Sequence, residues 1–240
     1  MAVALKLMPH MATLHRPDRI VEIGCGTGLL TQLVADRFPD ASIEAIDIAK
    51  DMIESSRRRF AGNRRVTFQE ADALTFNPRS PVPLVVSSST LHWISPPESL
   101  FRNIARMLTG DGRIVFSLML QGTLIELHES RRRVARGKPV LAALPDRDQI
   151  LKACNDAGLI VTDSREEAVQ VDYPSATDLL YALHDLGVTG GSISSSGTPL
   201  TRMELTKLLA DYAESYPADN AGVYATYRVL YAVATPRKKV

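Results

Sequence analysis

The sequence lacks the features that would place it in several broad classes. It has only two cysteines, Cys25 and Cys154, which do not make a disulfide framework. No apolar run approaches the ~18–20 residues of a membrane-spanning helix. Charge of neither sign dominates: 28 Lys and Arg stand against 27 Asp and Glu, a formal +1. That is not the basic excess of a nucleic-acid-binding chain. Aromatics make up 6% of the residues, with a single tryptophan, Trp93, and there is no internal repeat. The N-terminal Met1-Ala2-Val3-Ala4-Leu5-Lys6 has no long apolar core or clear cleavage site, so no signal peptide is expected. His10, His15, His92, His128 and His184 show no ligand spacing with cysteines or acids, so no metal is expected. The 240 residues fit one large domain, or a domain plus a sub-domain, expected to be cytoplasmic and monomeric.

The informative stretch is Ile20-Val21-Glu22-Ile23-Gly24-Cys25-Gly26-Thr27-Gly28, followed by the amphipathic Leu29 to Phe38. It reads as strand, tight glycine turn and helix. Glycines belong where a backbone passes close to a ligand or takes positive φ. A dinucleotide fingerprint needs G-x-G-x-x-G; the spacing here is G-x-G-x-G. Cys25 has no activating base nearby and reads as structural or cofactor-lining. A second apolar run ends at Asp47, about 20 residues past the loop, where such folds hold ribose hydroxyls with a carboxylate. A third short strand runs into Glu70-Ala71-Asp72-Ala73-Leu74.

These three elements resemble the cofactor motifs of class I S-adenosylmethionine methyltransferases, whose first motif is E-x-G-x-G-x-G. The resemblance implies S-adenosyl-L-methionine as cofactor. It implies a cofactor site of Glu22, Gly24, Cys25, Gly26, Gly28, Asp47, Ile48, Met52, Asp72, Ala73 and Ser88. Met52 reads equally well as ordinary core.

Residues 20–120 alternate strand and helix. Strands are predicted over 20–23, 42–47, 66–70, 83–87 and 113–119, and helices over 29–38, 50–60 and 97–108. Alternation of this kind argues for a parallel sheet covered on both faces. Ser95 reads as the cap of the third helix, Gly110-Asp111-Gly112 as a turn, and Met8 to Met11 as irregular. Helices are also expected over Thr123–Arg136, Asp146–Ala157, Ser175–Leu186 and from Thr201, a capping box with Glu204, to about Tyr216. Leu159–Val171 reads as a strand broken around Asp163-Ser164-Arg165, residues 187–199 as a mobile loop, and Val223–Ala234 as the last strand, antiparallel. The expected fold is α/β: a Rossmann-like, seven-stranded class I methyltransferase sheet with helices on both faces and a C-terminal inserted helical lid. The expected organisation is a cofactor-binding core over 1–120, insertions and strand six forming the lid over 121–222, and the last strand with a basic tail over 223–240.

The C-terminal half narrows the resemblance. Phe116 to Glu129, containing Gln121-Gly122-Thr123-Leu124, Ala176 to Thr189, and Thr226-Tyr227 before an apolar run are similar to segments of the BioC family of malonyl-acyl-carrier-protein O-methyltransferases of biotin synthesis. That family has a longer segment before the first strand, and an Asn where this chain has Ser88. The resemblance implies methyl transfer to the carboxylate of a malonyl group on acyl carrier protein or coenzyme A. Such a carboxylate is ionised and needs no general base, so alignment and desolvation are the expected sources of rate. His92 and Trp93, after the fourth strand, are then expected to wall the acceptor pocket.

Arg131-Arg132-Arg133, Arg136 and Lys138 form the densest basic run. It reads either as a solvated helix face, or as one inward arginine, Arg131 or Arg132, for the substrate carboxylate, with the rest facing an acidic carrier protein. Arg57-Arg58-Arg59 and Arg64-Arg65 read as solvated. Three alternatives stay open. One is a small-acid carboxyl methyltransferase of the trans-aconitate type. Another is an S-adenosylmethionine-binding protein without transferase activity. The third, more distant, is a nicotinamide oxidoreductase.

Overall fold

A computed structural model describes residues 2–11, 17–138, 144–185, 199–219 and 221–238. The loop expected over 187–199 lies outside the described residues except for Pro199. The strands are β1 (Arg19–Ile23), β2 (Ser42–Asp47), β3 (Val66–Glu70), β4 (Val82–Ser88), β5 (Leu108–Met119), β6 (Leu159–Tyr173) and β7 (Val223–Pro236). The helices are α1 (Ala2–Leu7), α2 (Leu29–Arg37), α3 (Lys50–Arg59), α4 (Pro97–Met107), α5 (Ile125–Val134), α6 (Arg147–Asp156), α7 (Ala176–Asp185) and α8 (Arg202–Ser215). The strands form one sheet in the order β3-β2-β1-β4-β5-β7-β6. β1 to β5 pair in parallel, which demands a crossover between neighbours. β7 runs antiparallel to β6: Arg237 N–H donates to the Gly158 carbonyl at 2.8 Å and Thr162 Oγ1 to that of Val233 at 3.3 Å. No helix among the described residues is long and apolar enough to cross a membrane.

The chain divides into two compact units. The first is Met1–Leu118, Arg147–Glu166 and Leu230–Val240; the second is Met119–Asp146 and Glu167–Val229. These limits cut across the boundaries drawn from sequence, because α6 and the first half of β6 count with the first unit. Its core is built from the buried runs Ile20-Val21, Leu84-Val85-Val86 and Ile114-Val115-Phe116. Continuous apolar runs of this kind suit strands buried on both faces. α4 buries Leu100, Phe101, Ile104 and Met107, a helical apolar face, and Phe101 packs on Phe116 with ring centroids 5.4 Å apart.

The second unit has its own apolar cluster, centred on Leu179, Leu183, Tyr212 and Ala225. Two of the segments that resemble the family lock together there. Glu126, buried, accepts the Thr226 backbone N–H at 3.1 Å and the Thr226 hydroxyl. Thr123 Oγ1 accepts the Arg228 N–H at 3.0 Å. Arg133 grips Asp211 of α8 through Nη2 at 2.7 Å and Nε at 3.0 Å. The predicted capping box is present: Thr201 Oγ1 accepts the Glu204 N–H at 3.2 Å, and Glu204 accepts the Thr201 N–H at 2.7 Å.

Several local expectations are corrected. β6 is unbroken through Asp163-Ser164-Arg165; it is an edge strand, where charged residues leave the ladder intact. The residue capping α4 is Pro96, with no side-chain bond, and not Ser95. Gly110-Asp111-Gly112 is no turn but an irregularity inside β5, where Val82 faces Leu108 and Leu84 faces Arg113. Met8 to Met11 is a 3₁₀ turn, and Leu7 and Met11 are fully buried. Arg65 is not simply solvated: its Nη1 donates to the Ala41 carbonyl at 3.1 Å.

Candidate cofactor and acceptor site

The glycine loop is built by fastening its backbone on three sides. Gly24 and Cys25 both donate N–H to the Ile46 carbonyl, at 2.8 and 3.0 Å, which ties the loop to β2. Ser56 of α3 donates its hydroxyl to the Gly26 carbonyl at 2.7 Å. Thr90, after β4, donates to the Gly24 carbonyl at 3.2 Å. All three glycines have positive φ, yet their surroundings differ. A Cβ on Gly24 would lie 2.1 Å from Thr90 Cγ2, and one on Gly28 would lie 2.9 Å from Phe60 Cε2. A Cβ on Gly26 would meet nothing within 4 Å. Two glycines permit packing, and the middle one leaves open space above the loop.

Asp47 stands at the end of β2 beside that space. Its Oδ2 accepts the Gly26 N–H at 2.9 Å and its Oδ1 the Ala49 N–H at 2.9 Å. Each oxygen keeps a further lone pair. The next residue, Ile48, is 72% exposed, a large apolar side chain with no neighbours to cover it. Met52, in the first turn of α3, is half-buried. Asp72 follows β3: its Oδ1 accepts the Leu74 N–H at 2.8 Å. Asn103 of α4 holds this turn from below, donating to the carbonyls of Ala73 and Phe76 at 2.9 and 2.8 Å. Ala73 is buried and Asp72 exposed.

Glu22 is nearly inaccessible, and its Oε2 has no hydrogen-bond partner among the described residues. Burial, offset partly by Thr31 and reinforced by Asp47, pushes its pKa up to about 8, so the carboxyl keeps its proton at neutral pH. Burial also pushes the Cys25 thiol up, with Glu22 and Asp47 adding to the effect; the thiol stays protonated and unreactive. An acid whose folded pKa lies above its unfolded value holds an extra proton only when folded, so stability falls as pH rises between the two. The window here runs from about 4.5 to about 8. Thermal melts at pH 5 and pH 8 are expected to show this loss, and Glu22→Gln is expected to reduce it. An equal slope in both proteins would contradict the assignment.

Beyond β4, Ser88 shares a hydrogen bond with Ser117 at 3.2 Å. Ser89 takes a φ of 55° and turns the chain into a short 3₁₀ segment, Leu91–Trp93. His92 and Trp93 lie ring to ring with centroids 5.0 Å apart, both half-buried. Burial pushes the His92 pKa down to about 4, leaving a neutral imidazole with one N–H to donate. Arg131 and Arg132 belong to α5, in the second unit. Arg131 is half-buried and donates Nε–H to the Lys138 carbonyl at 3.0 Å, whereas Arg132 is exposed.

Sequence reasoning missed the supports: Ser56, Phe60, Thr90 and Asn103. Each shows its role only once distant elements meet. Among the described residues no group of acids, histidines and cysteines suits a metal.

The arrangement fits S-adenosylmethionine. The open space at Gly26 admits a ligand against bare backbone, Asp47 has acceptor capacity for hydroxyl groups, and exposed Ile48 offers an apolar surface to a flat ring. The family described as Methyltransferase domain matches residues 20–112. The malonyl-[acyl-carrier protein] O-methyltransferase of Geobacter sulfurreducens is 30% identical over 224 residues, covering 90% of this chain and 83% of that one. A protein of the same name from Acetivibrio thermocellus is 30% identical over 234 residues, covering 92% and 80%. Among solved structures, YcgJ of Bacillus subtilis superposes with a TM-score of 0.67 at 16% identity over the full length of both chains. Geranyl diphosphate C-methyltransferase of Streptomyces coelicolor, in complex with S-adenosyl-L-homocysteine, gives a TM-score of 0.58 at 18% identity, covering 98% of this chain and 77% of that one. These structures share the class I methyltransferase fold. Loop, strand order and similarity along nine-tenths of the chain converge: this chain belongs to the malonyl-[acyl-carrier protein] O-methyltransferase family and is an S-adenosyl-L-methionine-dependent methyltransferase.

Proposed function

We propose that this enzyme methylates the free carboxylate of a malonyl group carried on acyl carrier protein, a step toward pimelate and biotin, in the cytoplasm. The observation that carries the reading is the 30% identity to the Geobacter sulfurreducens enzyme across 90% of the chain. At that coverage it extends well past residue 112, where the matched Methyltransferase domain ends.

The cofactor supplies a methyl group already activated on a sulfonium. The chain's residues then have to bind, align and dry. Gly24, Cys25, Gly26 and Gly28 form the cradle, Asp47 holds the ribose hydroxyls, Ile48 and Met52 flank the base, and Asp72 with Ala73 reads its edge. Glu22 sits beneath the loop and keeps its shape. Ser88, His92 and Trp93 line the acceptor side. A neutral His92 donates one hydrogen bond to the acceptor carboxylate without drawing off the negative charge that attacks. A carboxylate is ionised at neutral pH, so no residue is needed to remove a proton, and alignment supplies up to ~7–11 kcal/mol in favourable cases.

Of the two arginines singled out, Arg131 suits the substrate carboxylate better, because half-burial strengthens a charged pair that full exposure would screen. Arg131→Ala is expected to raise KM for the malonyl carrier protein roughly tenfold, the loss of about 1.4 kcal/mol, with the affinity for S-adenosylhomocysteine unchanged. An unchanged KM would remove Arg131 from this role. The reading as a whole is tested by growth. A biotin-requiring strain lacking its own enzyme of this family grows without biotin when it carries this chain, and fails with an Asp47→Ala copy. Failure with the intact, soluble protein present would move the substrate to another carboxylic acid, such as a small free acid.

A further inference from the structure

We propose that the edge of the sheet formed by the N-terminal ends of β1 to β4 holds a second small-molecule site, one that takes an anion carrying a diphosphate group. A cleft of about 370 Å³ opens there, lined by Arg19, Arg64, Arg65, Arg79, Glu44 and Thr67 among others. Its volume is within the roughly 300–1,000 Å³ range of small-molecule sites.

The cleft follows from strand register. Arg19 of β1 is the Cα partner of Ser42 of β2. Ile43 donates its N–H to the Arg65 carbonyl at 2.8 Å, and Glu44 pairs with Thr67 of β3. Side chains two residues apart on a strand share a face, so Ser42 and Glu44, with Arg65 and Thr67 beside them, form one polar strip where the interior of the sheet is apolar.

The four guanidiniums divide into two kinds. Two are fixed. Arg19 Nη1 donates to the Ser80 carbonyl at 3.2 Å and to the Ser80 hydroxyl. Arg65 Nη1 donates to the Ala41 carbonyl at 3.1 Å. Anchoring through one nitrogen orients the rest of the fork, and a guanidinium has five N–H donors in a rigid plane. The other two, Arg64 and Arg79, are exposed arms at the rim. Among the described residues neither makes a hydrogen bond or an ion pair, and the one carboxylate in the lining, Glu44, forms no ion pair either. Within the lining, four guanidiniums stand against one carboxylate, an excess of positive charge.

Planar forks set at fixed angles match phosphate oxygens in pairs. A single phosphate has oxygens for only part of the set, whereas a diphosphate offers one phosphate to the fixed pair and one to the rim arms. The site is separate from the methyl-transfer site. β2 begins at the cleft with Ser42 and ends at the glycine loop with Asp47, about 16 Å apart at ~3.3 Å per residue.

Calorimetry on the whole protein, at constant ionic strength and saturating S-adenosylhomocysteine, tests this. The bound S-adenosylhomocysteine keeps nucleotides off the glycine loop. Pyrophosphate and ADP are titrated beside orthophosphate and sulfate. The expected result is saturable one-to-one binding of pyrophosphate at least roughly tenfold tighter than orthophosphate. Tighter binding of ADP than of pyrophosphate would show that the diphosphate is recognised as part of a nucleotide; the reverse order would show the free anion as the ligand. The double variant Arg64→Ala, Arg79→Ala is expected to weaken binding at least tenfold while S-adenosylhomocysteine still binds normally. Glu44→Gln, which removes the opposing charge, is expected to tighten it severalfold. The proposal falls if no saturable binding occurs, if orthophosphate and sulfate bind as tightly, or if neither variant moves the affinity.

Discussion

Replacing Asp47 with alanine is expected to weaken binding of S-adenosylhomocysteine at least roughly 100-fold. The two carboxylate oxygens hold the Gly26 and Ala49 N–H groups, each at 2.9 Å. They therefore fix the open side of the glycine loop. In the proposed complex the same carboxylate accepts from two ribose hydroxyls. Hydrogen bonds to a charged group contribute ~1.5–3 kcal/mol each, and each 1.4 kcal/mol is tenfold in affinity. Losing two of them reaches a hundredfold even at the low end, before any loosening of the loop. Asp47→Asn keeps one acceptor oxygen and is expected to fall between wild type and the alanine variant. Calorimetric titration checks both. A change smaller than threefold in the alanine variant would show that the end of β2 does not carry the cofactor.

The second large effect separates two glycines of one loop. Gly24→Ala is expected to damage the fold, and Gly26→Ala to damage binding. At Gly24 the new Cβ would sit 2.1 Å from Thr90 Cγ2 and 2.2 Å from Thr90 Oγ1, against a side chain that is itself tied to the Gly24 carbonyl. Overpacking costs ~1–3 kcal/mol and an L-residue at positive φ another ~1–2 kcal/mol. At ~2–4 °C per kcal/mol for a chain of this size, Tm should fall by roughly 4–20 °C. At Gly26 the strain at φ +52° remains but the clash is absent, so Tm should fall only a few degrees. Its Cβ would enter the open space assigned to the cofactor in the proposed site, and affinity should drop by one to two orders of magnitude. Equal thermal losses in the two variants, or intact binding in Gly26→Ala, would contradict the division of roles.

What was legible in the sequence is what short-range chemistry determines. Glu22 to Gly28 marks the loop because only glycine tolerates positive φ freely. The distance to Asp47 marks the end of the second strand because one strand, turn and helix must intervene. The apolar runs of β1 and β4 are readable because strands buried on both faces leave no place for alternation. The capping box at Thr201 and Glu204 is local and was found locally.

What escaped depends on distant elements. β6 carries Asp163-Ser164-Arg165 without a break because it is the last strand in the sheet order, a position that a linear reading does not contain. Asp163 meets His10 at 2.9 Å, across most of the chain's length. The glycines at 110 and 112 look like a turn until β4 is seen beside them, where five residues of β5 advance against two of β4. Thr90 supports the glycine loop and Asn103 the turn after β3, each from another element. The arginines at 64 and 65 look like a solvated run because adjacent residues carry the same charge. Only the fold shows that Arg65 is pinned to the Ala41 carbonyl and faces Arg19 across β2.

The most direct test of the central claim is transfer of labelled methyl from S-adenosyl-L-methionine to malonyl-acyl carrier protein, with malonyl-coenzyme A, free malonate and aconitate alongside. The account predicts fastest labelling of the malonyl carrier protein, as a base-labile methyl ester, and its loss in Asp47→Ala. Labelling of the free acids with none on the carrier protein would contradict it.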